Sequence, residues 1–322
     1  MHHSNNAGRI SFAGSFNNES GGVALVLVVW VIVVLTAIVG EFAYTMRTEI
    51  NIARNFKEEE EAYQLALAGV EKAKMELLSA KMTEVMYLDE NGALSFGEEE
   101  IKPERKGELG NGTYEYKILD EDGKLNINTA TEQQLSKLFN DSGVDVTDVD
   151  VIVASIFDWR DDNDLHRTNG AEEDYYRSLD NPYSCKDGQF DTVEELIMVK
   201  GMSEEILYGS KEKKDDDDEA YTGVANHLTV YGSNLLNINT ASENVLNASL
   251  DQVNAQQIII MRETGPIYNN RNFKMTKISS EYFTILSTGK NKEGSVKRTV
   301  KSVVRLKESD LETLYWNDNF IG

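Results

Sequence analysis

The stretch VALVLVVWVIVVLTAIV, Val23–Val39, decides how the rest of this 322-residue chain is read: in a run of 17 residues, Thr36 is the only polar side chain. As a helix it spans about 25 Å, just under the roughly 30 Å hydrocarbon core of a bilayer, and Gly21, Gly22, Gly40 and Phe42 extend it. A cleaved secretory signal is the plainer alternative. The run is longer than the usual apolar region of about 7–15 residues, however, and no clean small-x-small site follows it. A retained membrane helix is therefore expected. From Glu41 to Ala68 there is neither Gly nor Pro, and apolar residues continue at helical spacing through Phe42, Met46, Ile50, Ala53, Phe56, Tyr63, Leu67, Val70 and Leu77. The spacing predicts one unbroken helix to about Ala80, roughly 60 residues and on the order of 90 Å long, half in lipid and half amphipathic.

Composition narrows the function classes. An apolar content of 40% with only three prolines fits a folded chain with long regular elements. The 55 acidic against 32 basic side chains leave a net charge of -23, which repels phosphate backbones and anionic lipid surfaces. A single cysteine, Cys185, forms no intramolecular disulfide and no paired-cysteine metal motif.

Beyond the helix, GTYEYKIL (Gly112–Leu119) alternates like a strand. Near the C-terminus YFTILSTG, the turn-prone KNKEG and SVKRTVKSVVRL predict two more. In the last of these Val296, Arg298, Val300, Ser302, Val304 and Leu306 point one way and Thr299, Lys301 and Val303 the other, so alternation alone leaves the buried face open. About 160 residues separate the first strand from the last two, far more than a loop holds, and imply an inserted domain.

That insert carries a repeat: LNINTA occurs at Leu125 and again at Leu236. Thr129 with Glu132, and Thr240 with Glu243, have the T-x-x-E spacing of a capping box, so each copy reads as an extended lead-in ending at a helix start. Leu135, Leu138, Val245 and Leu246 follow on those helices. DVIVASIFDW, FDTVEELIMVKGM and AQQIIIMRETG are expected to pair with them as short helices. The same phrase occurs in helix-hairpin-helix modules, some of which bind DNA through a glycine-rich hairpin flanked by basic residues. The best hairpin here, VKGMSEE (Val199–Glu205), has one Gly, one Lys and two acids, and residues 141–180 contain twelve Asp or Glu, three Arg and no Lys. A membrane-anchored helix-hairpin-helix DNA receptor is thus the alternative that charge argues against, and no nucleic-acid partner is expected.

The densest polar constellation is DWRDDNDLHRTNGAEEDYY, Asp158–Tyr176. Its acids could gather the roughly six to eight oxygens that a calcium ion takes, although the spacing is not that of an EF-hand, and a solvated acidic loop is the plain alternative. Enzyme readings find little support. His2 and His3 lie ahead of the apolar run, leaving His166 and His227, and there is no HExxH, phosphate loop or GxSxG. No catalytic residues are assigned.

The opening NNESGG followed by VALVL resembles the leader junction of type IV pilin-like proteins, which are built on one such long helix. The resemblance makes 1–22 a prepilin-type leader, Gly22 its last residue and Val23 the mature N-terminus, cleaved and N-methylated by the prepilin peptidase. Most pilins carry Glu at the fifth mature position; here it is Leu27, a departure shown by the K subunit of the type II secretion minor pseudopilins (general secretion pathway protein K). Asp158, Trp159, Asp161, Asp164, Gly170, Ala171, Glu172, Tyr175 and Tyr176 also match that family's pattern.

The resemblance implies an α+β pilin-like fold: one long N-terminal helix packed on an antiparallel sheet, with a large inserted, mostly helical domain. Residues 23–40 would be the transmembrane half of the helix and 41–82 its amphipathic half. Residues 83–123 and 276–322 would form the pilin-like domain, 124–228 the insert with the first repeat, and 229–275 the second helical module. It further implies structural calcium held by Asp161, Asp164 and Glu172, and a single-pass inner-membrane protein with its body in the periplasm. The implied partners are the I and J minor pseudopilins, the pseudopilus and the inner-membrane assembly platform. The implied role is at the pseudopilus tip, initiating assembly and limiting length during protein secretion.

Overall fold

The computed structural model describes residues 19–79, 85–97, 104–210, 221–308 and 310–320. Most of the expected leader, residues 1–18, lies outside them. The chain divides into two units, the first ending at Glu58 and the second running from Glu59 to Gly322. Helix α1 (Glu19–Ser79, 61 residues) contributes to both.

In the first unit the side chains from Val23 to Val39 are exposed along an uninterrupted helix that is long and apolar enough to cross a membrane. Valine-rich segments favour strands in water, because a β-branched side chain loses rotamer freedom against the preceding helical turn. In lipid the preference yields to a stronger demand: with no water to accept them, all backbone N–H and C=O groups of the span must pair within it. The one polar side chain follows the same logic, Thr36 Oγ1 donating to the Ile32 carbonyl at 2.7 Å.

The second unit begins with the last turns of α1 and continues with β1 (Met86–Leu88), β2 (Leu94–Phe96), β3 (Lys106–Leu109), β4 (Gly112–Asp120), β5 (Leu125–Asn126), α2 (Glu132–Asp141), α3 (Val146–Arg160), α4 (Glu173–Arg177) and α5 (Glu204–Tyr208). There follow β6 (Leu228–Thr229), β7 (Leu236–Asn237), α6 (Glu243–Ser249), α7 (Gln252–Glu263), β8 (Thr276–Lys277), β9 (Tyr282–Lys290), β10 (Lys297–Leu306) and β11 (Leu311–Asn317). Five strands form one antiparallel sheet in the order β11-β10-β9-β4-β3.

Within this unit Ala66, Val70, Ala73 and Leu77 of α1, at helical spacing, bury against Tyr116, Ile118, Phe283, Ile285, Val300 and Val304 of the sheet. Helix and sheet approach closely: a Cβ at Gly289 would lie 2.0 Å from the Ala62 carbonyl oxygen, and one at Gly69 2.1 Å from Ser287 Oγ. A partly buried ion pair fixes the lower edge. Glu76 accepts from Arg105 Nη2 at 2.6 Å and from the Tyr116 hydroxyl at 2.9 Å.

The uneven alternation of β10 now has a cause. Val300, Ser302, Val304 and Leu306 are buried on one face, yet Val303 on the other is buried too. That second face is covered by the insert, whose Val193, Leu207, Val230 and Tyr231 line a cavity of about 460 Å³ together with Val303.

The insert is one body rather than two modules. A single hydrophobic core runs from Leu125 to Phe273 and includes Leu135, Leu138, Val245 and Leu246 of the two repeat helices. The expected division at 228/229 would cut β6, which pairs in parallel with β5, and β8 pairs with β7 rather than with the sheet. The pilin-like part therefore resumes at about Tyr282, not at 276.

The capping residues also differ from expectation. The N-cap of α2 is Thr131, in a capping box with Gln134, and that of α6 is Ser242, which accepts from Val245 N; both lie two residues beyond Thr129 and Thr240. The reason is that the first asparagine of each copy folds its own turn, with Asn126 Oδ1 accepting from Asn128 N (2.9 Å) and Asn237 Oδ1 from Asn239 N (3.0 Å). The threonines are spent on that turn. Helix geometry starts only after the buried Ala130 and Ala241.

Candidate functional site

The second asparagine of each copy explains why the repeat recurs. Asn128 Nδ2 donates to the Phe190 carbonyl (3.0 Å) while Asn128 Oδ1 accepts from Phe190 N (2.8 Å). Asn239 does the same with Ile267, at 2.9 and 2.8 Å. Each amide thus clamps the backbone N–H and C=O of one distant residue against the helix start. An arginine near the end of the following helix completes the motif: Arg160 donates to the carbonyls of Ile127 and Ala130, Arg262 to that of Ala241. LNINTA is a scaffold, and no ligand is required to account for its letters.

The acidic stretch hangs from the first scaffold. Asp158, fully buried, accepts the Arg167 backbone N–H on both oxygens at 3.3 Å. Gly170 has no alternative, since a Cβ there would lie 1.9 Å from Asp158 Oδ2. Trp159 packs edge-on against Tyr176 and Tyr183 and stacks on Phe190, the residue that Asn128 clamps. Much of the matched pattern is therefore loop closure and aromatic packing.

Glu172 is different. It is 2% exposed, and neither carboxylate oxygen receives a hydrogen bond among the described residues. Burial first, then the charges of Asp158, Asp161 and Asp187, push its carboxyl up to about 7. Ligand atoms of Glu172, Cys185 and Asp187 lie within 4.8 Å of one another.

Of the three expected ligands, Glu172 is thus central. Asp161, the C-cap of α3, is near enough to raise its pKa, with one oxygen accepting from Asn163. Asp164 is exposed and joins no such group. Asp187, at φ +51°, was not anticipated, although the Asp-Gly pair 187–188 is a turn signal that would have brought it back toward the loop. The unpaired buried carboxylate and its acidic neighbours fit a hard cation with oxygen ligands. The Cys185 thiol, pushed up to about 12 mainly by burial, stays protonated and is no match for calcium.

Other chemistry finds less support. Ser242 Oγ lies 2.9 Å from His227 Nδ1, but that hydroxyl already caps α6 and burial lowers the histidine pKa. In the hairpin Val199–Glu205, Lys200 Nζ donates to the carbonyls of Asn169 (3.2 Å) and Gly170 (3.0 Å), so it is engaged within the fold rather than offered to a phosphate.

At the N-terminal end, Gly22, Val23 and Leu27 all lie on α1, with Val23 and Leu27 exposed. No ionisable side chain occurs from Val23 to Gly40.

Comparison with known proteins places these features. Residues 116–209 match the family model for "Type II secretion system (T2SS), protein K". A curated relative, "Putative type II secretion system protein K" of Escherichia coli (strain K12), is 24% identical over 204 residues, covering 59% of this chain and 60% of that protein. A chain in the crystal structure of the GspK-GspI-GspJ complex from the enterotoxigenic Escherichia coli type 2 secretion system aligns with a TM-score of 0.59 and 17% identity, over 83% of this chain and all of that one. The last likeness establishes the shared fold, a pilin-like helix and sheet with an inserted domain. The family model, which spans the acidic motif, and the curated relative bear out the resemblance to protein K of type II secretion.

Proposed function

We propose, from the premise that this chain is a K-type minor pseudopilin of the type II secretion system, that it occupies the tip of the pseudopilus together with the I and J minor pseudopilins. There it starts assembly and limits length. It is held in the inner membrane by residues 23–40, with its body in the periplasm, after the prepilin peptidase has cut between Gly22 and Val23 and methylated the new N-terminus.

The observation that carries this reading is Leu27. A pilin carboxylate within the bilayer is costly unless it pairs, and its use is to pair with the terminal ammonium of a neighbour. A helix with no ionisable group from Val23 to Gly40 cannot offer that pairing to a subunit above it. In this reading the large insert would stand in the way of a further subunit. Mass spectrometry of membrane-extracted protein tests the processing: the expected N-terminus is a monomethylated Val23. A chain beginning near Glu41 would instead indicate signal peptidase and a released protein.

The acidic site serves, in this reading, as a structural calcium site in which Glu172 is the principal ligand, with Asp161 and Asp187 beside it. A calcium ion there would neutralise the buried carboxylate and tie the α3–α4 loop to the segment around Asp187. Titration calorimetry of the full chain should show calcium binding that weakens at least tenfold, about 1.4 kcal/mol, in Glu172→Gln. Absence of heat at millimolar calcium removes the metal from the account.

A further inference from the structure

Three consecutive acids, Asp120, Glu121 and Asp122, mark the point where β4 leaves the sheet for the insert, and all three are buried. Two of them have a cation. Lys124 Nζ lies 2.6 Å from Glu121, and Lys277 Nζ 2.8 Å from Asp122. Asp120 pairs with none among the described residues. Its Oδ2 accepts instead from Ser280 Oγ (2.6 Å), Thr240 Oγ1 (2.5 Å) and Asn237 Nδ2 (3.1 Å), and its Oδ1 from Asp122 N (2.9 Å). One carboxyl therefore joins the sheet, the second LNINTA copy and the segment entering β9.

We propose that Asp120 is a proton-operated joint between the pilin-like sheet and the second repeat, holding them most firmly when its carboxyl is neutral. The arrangement for the neutral form is already in place. Thr240 Oγ1 also lies 3.4 Å from the Asn237 carbonyl. A proton on Asp120 Oδ2 can be donated to Thr240 Oγ1 while the threonine hydrogen turns toward that carbonyl, so no buried donor is orphaned. The ionised form keeps its donors but places a charge in a buried site beside Asp122, with no cation of its own.

The charged and titratable groups around the joint are Glu121, Asp122 and Lys124 after β4, Lys277 on β8, and Glu281 and Tyr282 at the start of β9. The second repeat presents only the neutral Asn237 and Thr240. Burial, and then the charge of Asp122, push the Asp120 carboxyl up from 3.8 to about 6, against the pull of the Ser280 and Thr240 hydroxyls. A carboxyl raised in the folded state contributes its stability below the unfolded value and loses it as pH rises through the folded one. The joint is accordingly weaker at neutral pH than near pH 5.

Unfolding of the full chain in detergent micelles, followed by tryptophan fluorescence across this range, tests the joint. Relative to Asp120→Asn, the wild-type unfolding constant should rise about fiftyfold from pH 4 to 7. Ser280→Ala, which removes a donor to the ionised form, should move the midpoint of that rise to higher pH. A ratio of wild type to Asp120→Asn that does not change with pH overturns the proposal. Should Asp120→Asn fail to fold, infrared spectra in a Glu172→Gln background provide the readout. A protonated-carboxyl band titrating near pH 6 and displaced by Ser280→Ala supports the joint; no such band above pH 5 rejects it.

Discussion

The two copies of LNINTA share six letters, the same turn and the same amide clamp, yet they sit in different company. In the first copy Asn126 Nδ2 reaches only the backbone carbonyls of Tyr231 and Gly232, and Thr129 is exposed. In the second, Asn237 Nδ2 reaches Met86 O, Asp120 Oδ2 and Ser280 Oγ, and Thr240 is buried against the same carboxylate. The repeat encodes a way of starting a helix and pinning a distant residue. What each copy does for the molecule is decided by its neighbours: the first pins Phe190 beside the aromatic and acidic loop, whereas the second pins Ile267 and also reaches the end of β4 through Asp120.

The comparison is most sharply broken at the clamp. Asn239→Ala leaves the buried N–H and C=O of Ile267 without partners and should cost on the order of 2–4 kcal/mol, read from the urea midpoint. Asn128→Ala, at a half-buried position where water can replace the lost bonds, should cost about half as much. Equal losses would mean that the copies are energetically equivalent and that burial does not distinguish them. The threonines give a smaller contrast. Thr240→Val removes a short hydrogen bond to a carboxylate and should cost about 1.5–3 kcal/mol, whereas Thr129→Val should stay within roughly 0.5 kcal/mol of wild type.

How much of this was legible in the sequence follows from the range of the forces involved. The long helix was readable to its last turn, because spacing and the absence of Gly and Pro act locally: the expected end near Ala80 compares with Ser79. The central strands β4, β9 and β10 were readable for the same reason. The edge strands β3 and β11 and the β1–β2 hairpin were not, since they are short or have little apolar alternation, and only pairing defines them. The capping residues were misplaced by two because T-x-x-E is a local pattern, while the start of the helix is set by an asparagine-closed turn three residues upstream. Within the acidic site Asp161 and Glu172 were named from the motif. Asp187 reaches the group through a turn that the Asp-Gly pair 187–188 signals but whose destination only the folded chain defines, and Asp164 matches the pattern while facing solvent. The buried triplet Asp120–Asp122 was invisible, because three acids at a strand end read as surface until the insert is folded over them.

The central claim concerns assembly, and co-purification tests it most directly. Extracted from membranes under mild detergent, the full chain should bring with it two other pilin-like proteins, I and J, retained through their N-terminal helices and periplasmic domains. Introducing a carboxylate by Leu27→Glu should leave that capture intact while lengthening the assembled pseudopilus. Recovery of the chain alone, under conditions in which I and J still associate with each other, would contradict a place at the tip.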